Sequence, residues 1–127
     1  MGNFIGTINQ LKECGYAKYN KTELTDYLKG YINRLKEERQ DTEDLVTYNK
    51  REFCINYARL VIYKLNNLPF DKQGWDVYNE AKRNLINLGS DEIVAGNVLN
   101  TQLTNDYIRE FLDIARENVA YVKEINQ

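Results

Sequence analysis

Residues 44–65 read DLVTYNKREFCINYARLVIYKL, and the second half of that stretch decides the fold. Cys54, Ala58, Val61 and Leu65 recur at helical spacing, while Tyr57, Leu60 and Ile62 widen the apolar stripe to most of the circumference. A helix apolar along one stripe lies on a surface, whereas one apolar nearly all round is enclosed by other elements. The spacing therefore predicts a central buried helix over about 44–66, with 51–65 its enclosed part and the other segments packed around it.

Downstream, Asn66-Asn67 and Pro69 mark the stop of that helix, since Asn accepts a left-handed cap and Pro cannot continue a helix. Residues 68–74 read as a linker. Trp75, Tyr78, Ala81, Leu85 and Leu88 form the next apolar face, closed by Gly89. Ser90 is the expected N-cap of a short helix over 91–99, with Ile93, Val94 and Val98 as its apolar residues, followed by a turn over 100–105. A last helix runs from 106 to about 124, with Tyr107, Ile108, Phe111, Leu112, Ala115, Val119 and Val122 on one face.

Upstream, the charged run 36–44 holds the break into the central helix, placed near Asp41–Thr42. Before it, Leu24, Tyr27, Leu28, Tyr31, Ile32 and Leu35 define a one-sided helix, opened by a capping-box pattern at 20–23. Gly30 lies mid-helix at a cost of about 1 kcal/mol relative to Ala, which the close approach of a second helix would explain. Phe4, Ile5, Ile8 and Leu11 give a short first helix stopped at Gly15, and 16–21 is a loop. No segment alternates with period two. The fold class is all-α: one helical domain over 1–127, a compact bundle of five or six helices around the central one. Residues 26–38 resemble 106–118 at an offset of 80, a hint of duplication that amphipathic convergence also produces.

Composition narrows function more by exclusion than by assignment. Seventeen basic and 19 acidic side chains leave a net charge of −2, with residues 1–40 at +2 and the rest at −4. Neither a polyanion nor a phosphate-binding surplus is present. The two cysteines, Cys14 and Cys54, are expected to be reduced thiols, with Cys54 on the buried face of the central helix. No secretory signal and no membrane-spanning run is read, so the expected location is cytoplasmic. Sixteen Asn, ten Ile, ten Lys and ten Tyr are residues with AT-rich codons, pointing to a low-GC bacterium or one of its phages or mobile elements.

There is no histidine, and hence no imidazole base or ligand. Two separated cysteines make no structural zinc site, and no phosphate-cradling Gly-rich motif occurs. Asp106, Glu110, Asp113 and Glu117 follow helical spacing, the pattern of a solvated face with Arg109 and Arg116 beside it. No enzyme activity, catalytic residue, metal or cofactor is expected.

The aromatic content, ten Tyr, four Phe and one Trp, exceeds what so small a core requires. Tyr27, Tyr31, Tyr57, Tyr78 and Tyr107 fall on apolar stripes as core edges with their hydroxyls reaching outward. Tyr16, Tyr19, Tyr48 and Tyr63 fall off those stripes and are the candidate partner-binding residues, because tyrosine supplies large contact area at low entropy cost. The expected function is docking on a protein partner, as an inhibitor or regulator encoded by a phage or mobile element. A role against host defence, of the anti-CRISPR type, belongs to that class. The alternatives are a helix-turn-helix-like DNA-binding regulator using Lys18, Lys21, Lys29 and Arg34, and a structural subunit of a larger complex.

Overall fold

The computed structural model describes residues 21–66 and 68–113, all helix and connecting turns, and bears out the all-α reading. Four complete helices are present among them: α1 (Lys21–Glu37), α2 (Leu45–Leu65), α3 (Lys72–Asn87) and α4 (Glu92–Gln102). A fifth, α5, begins at 105 and is described to 113. The first helix expected over 3–13, Asn20 of the capping box and the part of the last helix beyond 113 lie outside the described residues. So do the last five residues, 114–118, of the second copy of the suspected duplication.

As expected, α2 is central. It packs against α1 on one side and α3 on another, and α3 in turn packs against α4. Leu24, Leu28 and Ile32 of α1 meet Ile55, Ala58, Leu60, Val61 and Leu65 of α2 in one core. Ala81, Leu99, Leu103, Ile108 and Leu112 complete that core from the later elements.

The starts of α2, α3 and α4 share one device. Asp44, Asp71 and Asp91 each precede the helix in extended backbone, and each carboxylate accepts the backbone N–H three residues on. The acceptor distances are 2.7, 2.8 and 2.8 Å, to Thr47, Gly74 and Val94. A carboxylate there satisfies an orphan donor and meets the positive end of the helix dipole. The break expected near Asp41–Thr42 falls in the turn before Asp44, and the N-cap expected at Ser90 is corrected to Asp91. The linker is also shorter than expected, since Asp71 starts α3 at Lys72 and places Gly74 inside its first turn.

Gly89 ends α3 as the sequence predicts. It has φ of 113°, Ser90 N–H bonds to Leu85 C=O at 3.1 Å, and Gly89 N–H bonds to Ile86 C=O at 3.0 Å. That is the paired arrangement of a left-handed helix stop.

Among the described residues the close approach expected at Gly30 is absent: none of them lies within 4 Å of where its Cβ would be. The tight glycine is Gly74, whose Cβ would stand 3.3 Å from Phe70 Cβ and 3.3 Å from Tyr63 Cε1. Two arginines tie the α1–α2 connection to α2. Arg39 forks onto Glu52 with bonds of 2.8 and 2.5 Å, and the largely buried Arg51 forks onto Glu43. The Arg51 guanidinium, mainly through those hydrogen bonds, holds the Glu43 carboxyl below its ordinary value.

Candidate functional site

Two features stand apart from the core: an apolar end of the bundle and an aromatic cleft in its side. The end follows from the antiparallel runs of the helices. Asn49, near the start of α2, bonds Asn84 and Asn87, near the end of α3, and Lys82 of α3 pairs with Glu92 at the start of α4 at 3.5 Å. The starts of α2 and α4 and the end of α3 therefore lie at one end. Leu45, Val46 and Tyr48 are exposed on the first, Ile93 and Val94 on the second, and Ile86 on the third. Leu45 is 76% exposed and Ile93 77%. Six of the nine large hydrophobics exposed among the described residues belong to this end.

For Ile93 and Val94 this corrects the sequence reading, which placed them on an apolar face. The helix buries Ala95 and Leu99 instead, a stripe that leaves its first turn outward. α2 likewise buries little before Asn49.

The cleft lies between α1, α2, α4 and α5, with a volume of about 260 Å³. Tyr31, Phe53, Tyr57, Tyr107 and Phe111 wall it. Phe53 and Tyr57 stack at 6.1 Å, and Phe111 meets Tyr57 edge-on at 5.1 Å and Tyr31 at 6.4 Å. Tyr57 donates its hydroxyl proton to the backbone oxygen of Gln102 at 2.7 Å, which fixes the end of α4 against α2. Cys54, Gln102 and Glu110 complete the lining. Two expectations change here. Cys54 is a half-buried free thiol at the cleft rather than a core residue. Tyr107 is about half exposed, while Ile108 and Leu112 carry the buried stripe of α5. Burial, and then the Cys54 thiol beside it, push the Tyr31 hydroxyl well above its ordinary value.

Of the candidate partner-binding tyrosines, the two among the described residues, Tyr48 and Tyr63, lie far apart. Tyr48 belongs to the apolar end, with the Arg51 guanidinium carbon 6.0 Å from its ring centre. Tyr63 lies fifteen residues on, about 22 Å along the same helix axis. There it packs edge-on against Phe70 at 5.6 Å and donates to Asp71 at 3.3 Å. Tyr16 and Tyr19 lie outside the described residues. Of the nucleic-acid candidates, Lys29 and Arg34 are exposed on α1, where Glu23, Asp26 and Glu37 are exposed too. Arg34 lies over the Tyr27 ring at 5.9 Å. Lys21 opens α1, and Lys18 is outside the described residues.

Two internal features went unread in the sequence. Asn56 donates to Asn84 at 2.9 Å, and Asn84 and Asn87 both donate to Asn49, at 3.1 and 3.2 Å. Asn49 donates in turn to the Leu45 carbonyl. The available signal was spacing: Asn49 and Asn56 stand seven apart, Asn84 and Asn87 three apart, each pair on one helix face. The second feature is Lys64, 1% exposed, with no hydrogen-bond partner for its amine. Burial alone lowers its pKa from 10.5 to about 7.

Among the described residues no group of three potential metal ligands occurs, and no helix is long and apolar enough to cross a membrane. In comparisons with known proteins, no family model, no curated protein and no solved structure matches this chain.

Proposed function

We propose that this all-α bundle works by docking on a protein partner through its apolar end, as a non-enzymatic inhibitor or regulator. The observation that carries the reading is the gathering of Leu45, Val46, Tyr48, Ile86, Ile93 and Val94 at one end. Isolated apolar side chains on a surface need no explanation, whereas several at one end of a small protein are the usual mark of an interaction site. Tyr48 supplies a rigid aromatic anchor there. The AT-rich residue usage supports a partner in a low-GC bacterium and an origin in a phage or mobile element, and a target in host defence fits that setting.

DNA binding through the α1 surface has less support, because the exposed charges of α1 are of both signs and phosphate binding rests on a basic surplus. The test compares two exposed double variants, Leu45→Asp/Ile93→Asp and Lys29→Glu/Arg34→Glu. Each is used for capture from a low-GC bacterial lysate and for anisotropy titration of mixed-sequence duplex DNA. The proposal expects a protein captured by the wild type and the α1 variant and lost with the end variant, with no DNA binding at low salt. DNA binding that falls steeply with salt and vanishes in the α1 variant would replace it with the regulator reading. Capture indifferent to both variants would remove the apolar end from the function.

A further inference from the structure

The aromatic cleft has a chemistry that protein docking at the bundle end does not use. Its walls are ring faces and edges from α1, α2 and α5, and the faces of such rings carry negative electrostatic potential that attracts cations. Among the described residues, the charged one in its lining is a carboxylate, Glu110, with no lysine or arginine beside it. Gln102 also lines it, and the Gln102 side-chain oxygen is buried with no hydrogen-bond donor. A buried acceptor left unpaired is unfavourable, so a ligand bringing a donor gains there. Tyr31 adds no charge, since burial and the neighbouring thiol keep its hydroxyl protonated.

We propose that this cleft binds a small organic cation, a protonated amine carrying an apolar or aromatic body. The body fills the space between the rings. The ammonium lies toward Glu110, and a turn of the Gln102 side chain brings its buried oxygen to an N–H. Each alternative charge state leaves something unmet. An anion faces Glu110 and the ring faces with no compensating cation, and a hydrocarbon leaves the Gln102 oxygen unpaired. A second cavity of about 260 Å³, lined by Asn97, Val98, Thr101, Gln102 and Tyr107, shares Gln102 and Tyr107 with the first. Its amide and hydroxyl groups suit a polar substituent extending past Tyr107.

The experiment is a heteronuclear NMR titration of the full chain at neutral pH, following the Gln102 side-chain amide. The probes are phenethylamine, 2-phenylethanol and 3-phenylpropionate, which share a body and differ in head-group charge. Phenethylamine is expected to shift that amide saturably and to bind about tenfold tighter than the alcohol, with the carboxylate weakest. Glu110→Gln, at an exposed position, is expected to weaken the amine about tenfold and leave the alcohol unchanged. Tyr107→Ala, also exposed, is expected to weaken amine and alcohol alike. Equal binding of amine and alcohol, or an amine affinity indifferent to Glu110→Gln, overturns the charge assignment. Absence of any saturable shift at the Gln102 amide with all three probes overturns the site itself. None of these results bears on the apolar end.

Discussion

The two sides of α2 are built from different chemistry. Toward α3 the interface carries an asparagine ladder, Asn56–Asn84–Asn49–Asn87, closed onto the Leu45 carbonyl. Toward α1 and α5 it is mainly hydrocarbon and aromatic ring, from Leu28 and Ile32 to Tyr31 and Phe111, with an amide hydrogen bond from Asn66 to the Thr25 hydroxyl. Apolar burial is non-directional, so it favours contact without choosing a register. A buried amide has donors and an acceptor that must be met by a particular neighbour, so the ladder accepts one alignment of α2 and α3. The apolar side leaves the cleft where its rings meet imperfectly. The polar side supplies alignment.

Lys64 is the largest exception to that division, since it puts an amine among the apolar residues of α2. Its charged form is disfavoured in the fold, with a pKa of about 7 against 10.5 for an ordinary lysine. Between those values the unfolded chain binds a proton that the native state does not, so stability must rise with pH across that window. Below pH 7 both states are protonated, and the native state carries the full penalty, on the order of 5 kcal/mol. Tyr31 acts oppositely above pH 10, because its folded pKa is raised and the unfolded chain loses that proton first. Stability measured by chemical denaturation should thus climb from pH 7 toward 10 and fall beyond it. Lys64→Met is expected to raise stability at pH 7 by several-fold RT and to flatten the climb while keeping the fall. An unchanged climb in the variant would place the titrating group elsewhere.

The next effects separate the two sides directly. Leu28→Ala, at a fully buried site on the apolar side, is expected to cost about 3 kcal/mol through lost transfer energy and the cavity left behind. Asn84→Ala leaves the Asn56 amide without its acceptor and removes one donor from Asn49, for about 2 kcal/mol. Replacing Asn49, Asn56, Asn84 and Asn87 together by apolar residues should recover much of that stability but lose the single alignment, seen as broadened amide resonances along α3. Sharp, native-like spectra in the all-apolar variant would show that the ladder does not set the alignment.

How much of this was legible follows the same division. The enclosed character of α2 was readable because Cys54, Ala58, Val61 and Leu65, with Tyr57 and Leu60, cover most of its circumference. The ends of α2 and α3 were readable because Asn66-Asn67, Pro69 and Gly89 act locally. The ladder was not, because asparagine in such number reads as composition, and only the partner helix decides which amides are buried. Lys64 stands seven residues after Tyr57, on the same face, but a lysine within an apolar circumference reads as the one solvent-facing gap. The cleft draws one or two residues from each of several helices, so no linear spacing contains it. The apolar end was half visible: Tyr48 was picked out as exposed, while Ile93 and Val94 were assigned inward because periodicity in an eleven-residue helix fixes its buried face poorly.

The smallest effect tests a local point, the two glycines that lie inside helices at unequal crowding. Gly30 is exposed in the middle of α1 with no described residue within 4 Å of a Cβ, so Ala there meets no obstacle among them and removes backbone freedom from the unfolded chain. Gly30→Ala is expected to raise stability by about 0.8 kcal/mol, read as a higher denaturation midpoint at unchanged slope. Gly74 is buried in the first turn of α3, 3.3 Å from Phe70 and from the Tyr63 ring. The same propensity gain there is opposed by displacement of those rings, so Gly74→Ala should gain less than Gly30→Ala or lose stability. Equal gains at both positions would mean that the Tyr63–Phe70 contact yields freely, and that the α2–α3 turn is looser than its packing implies.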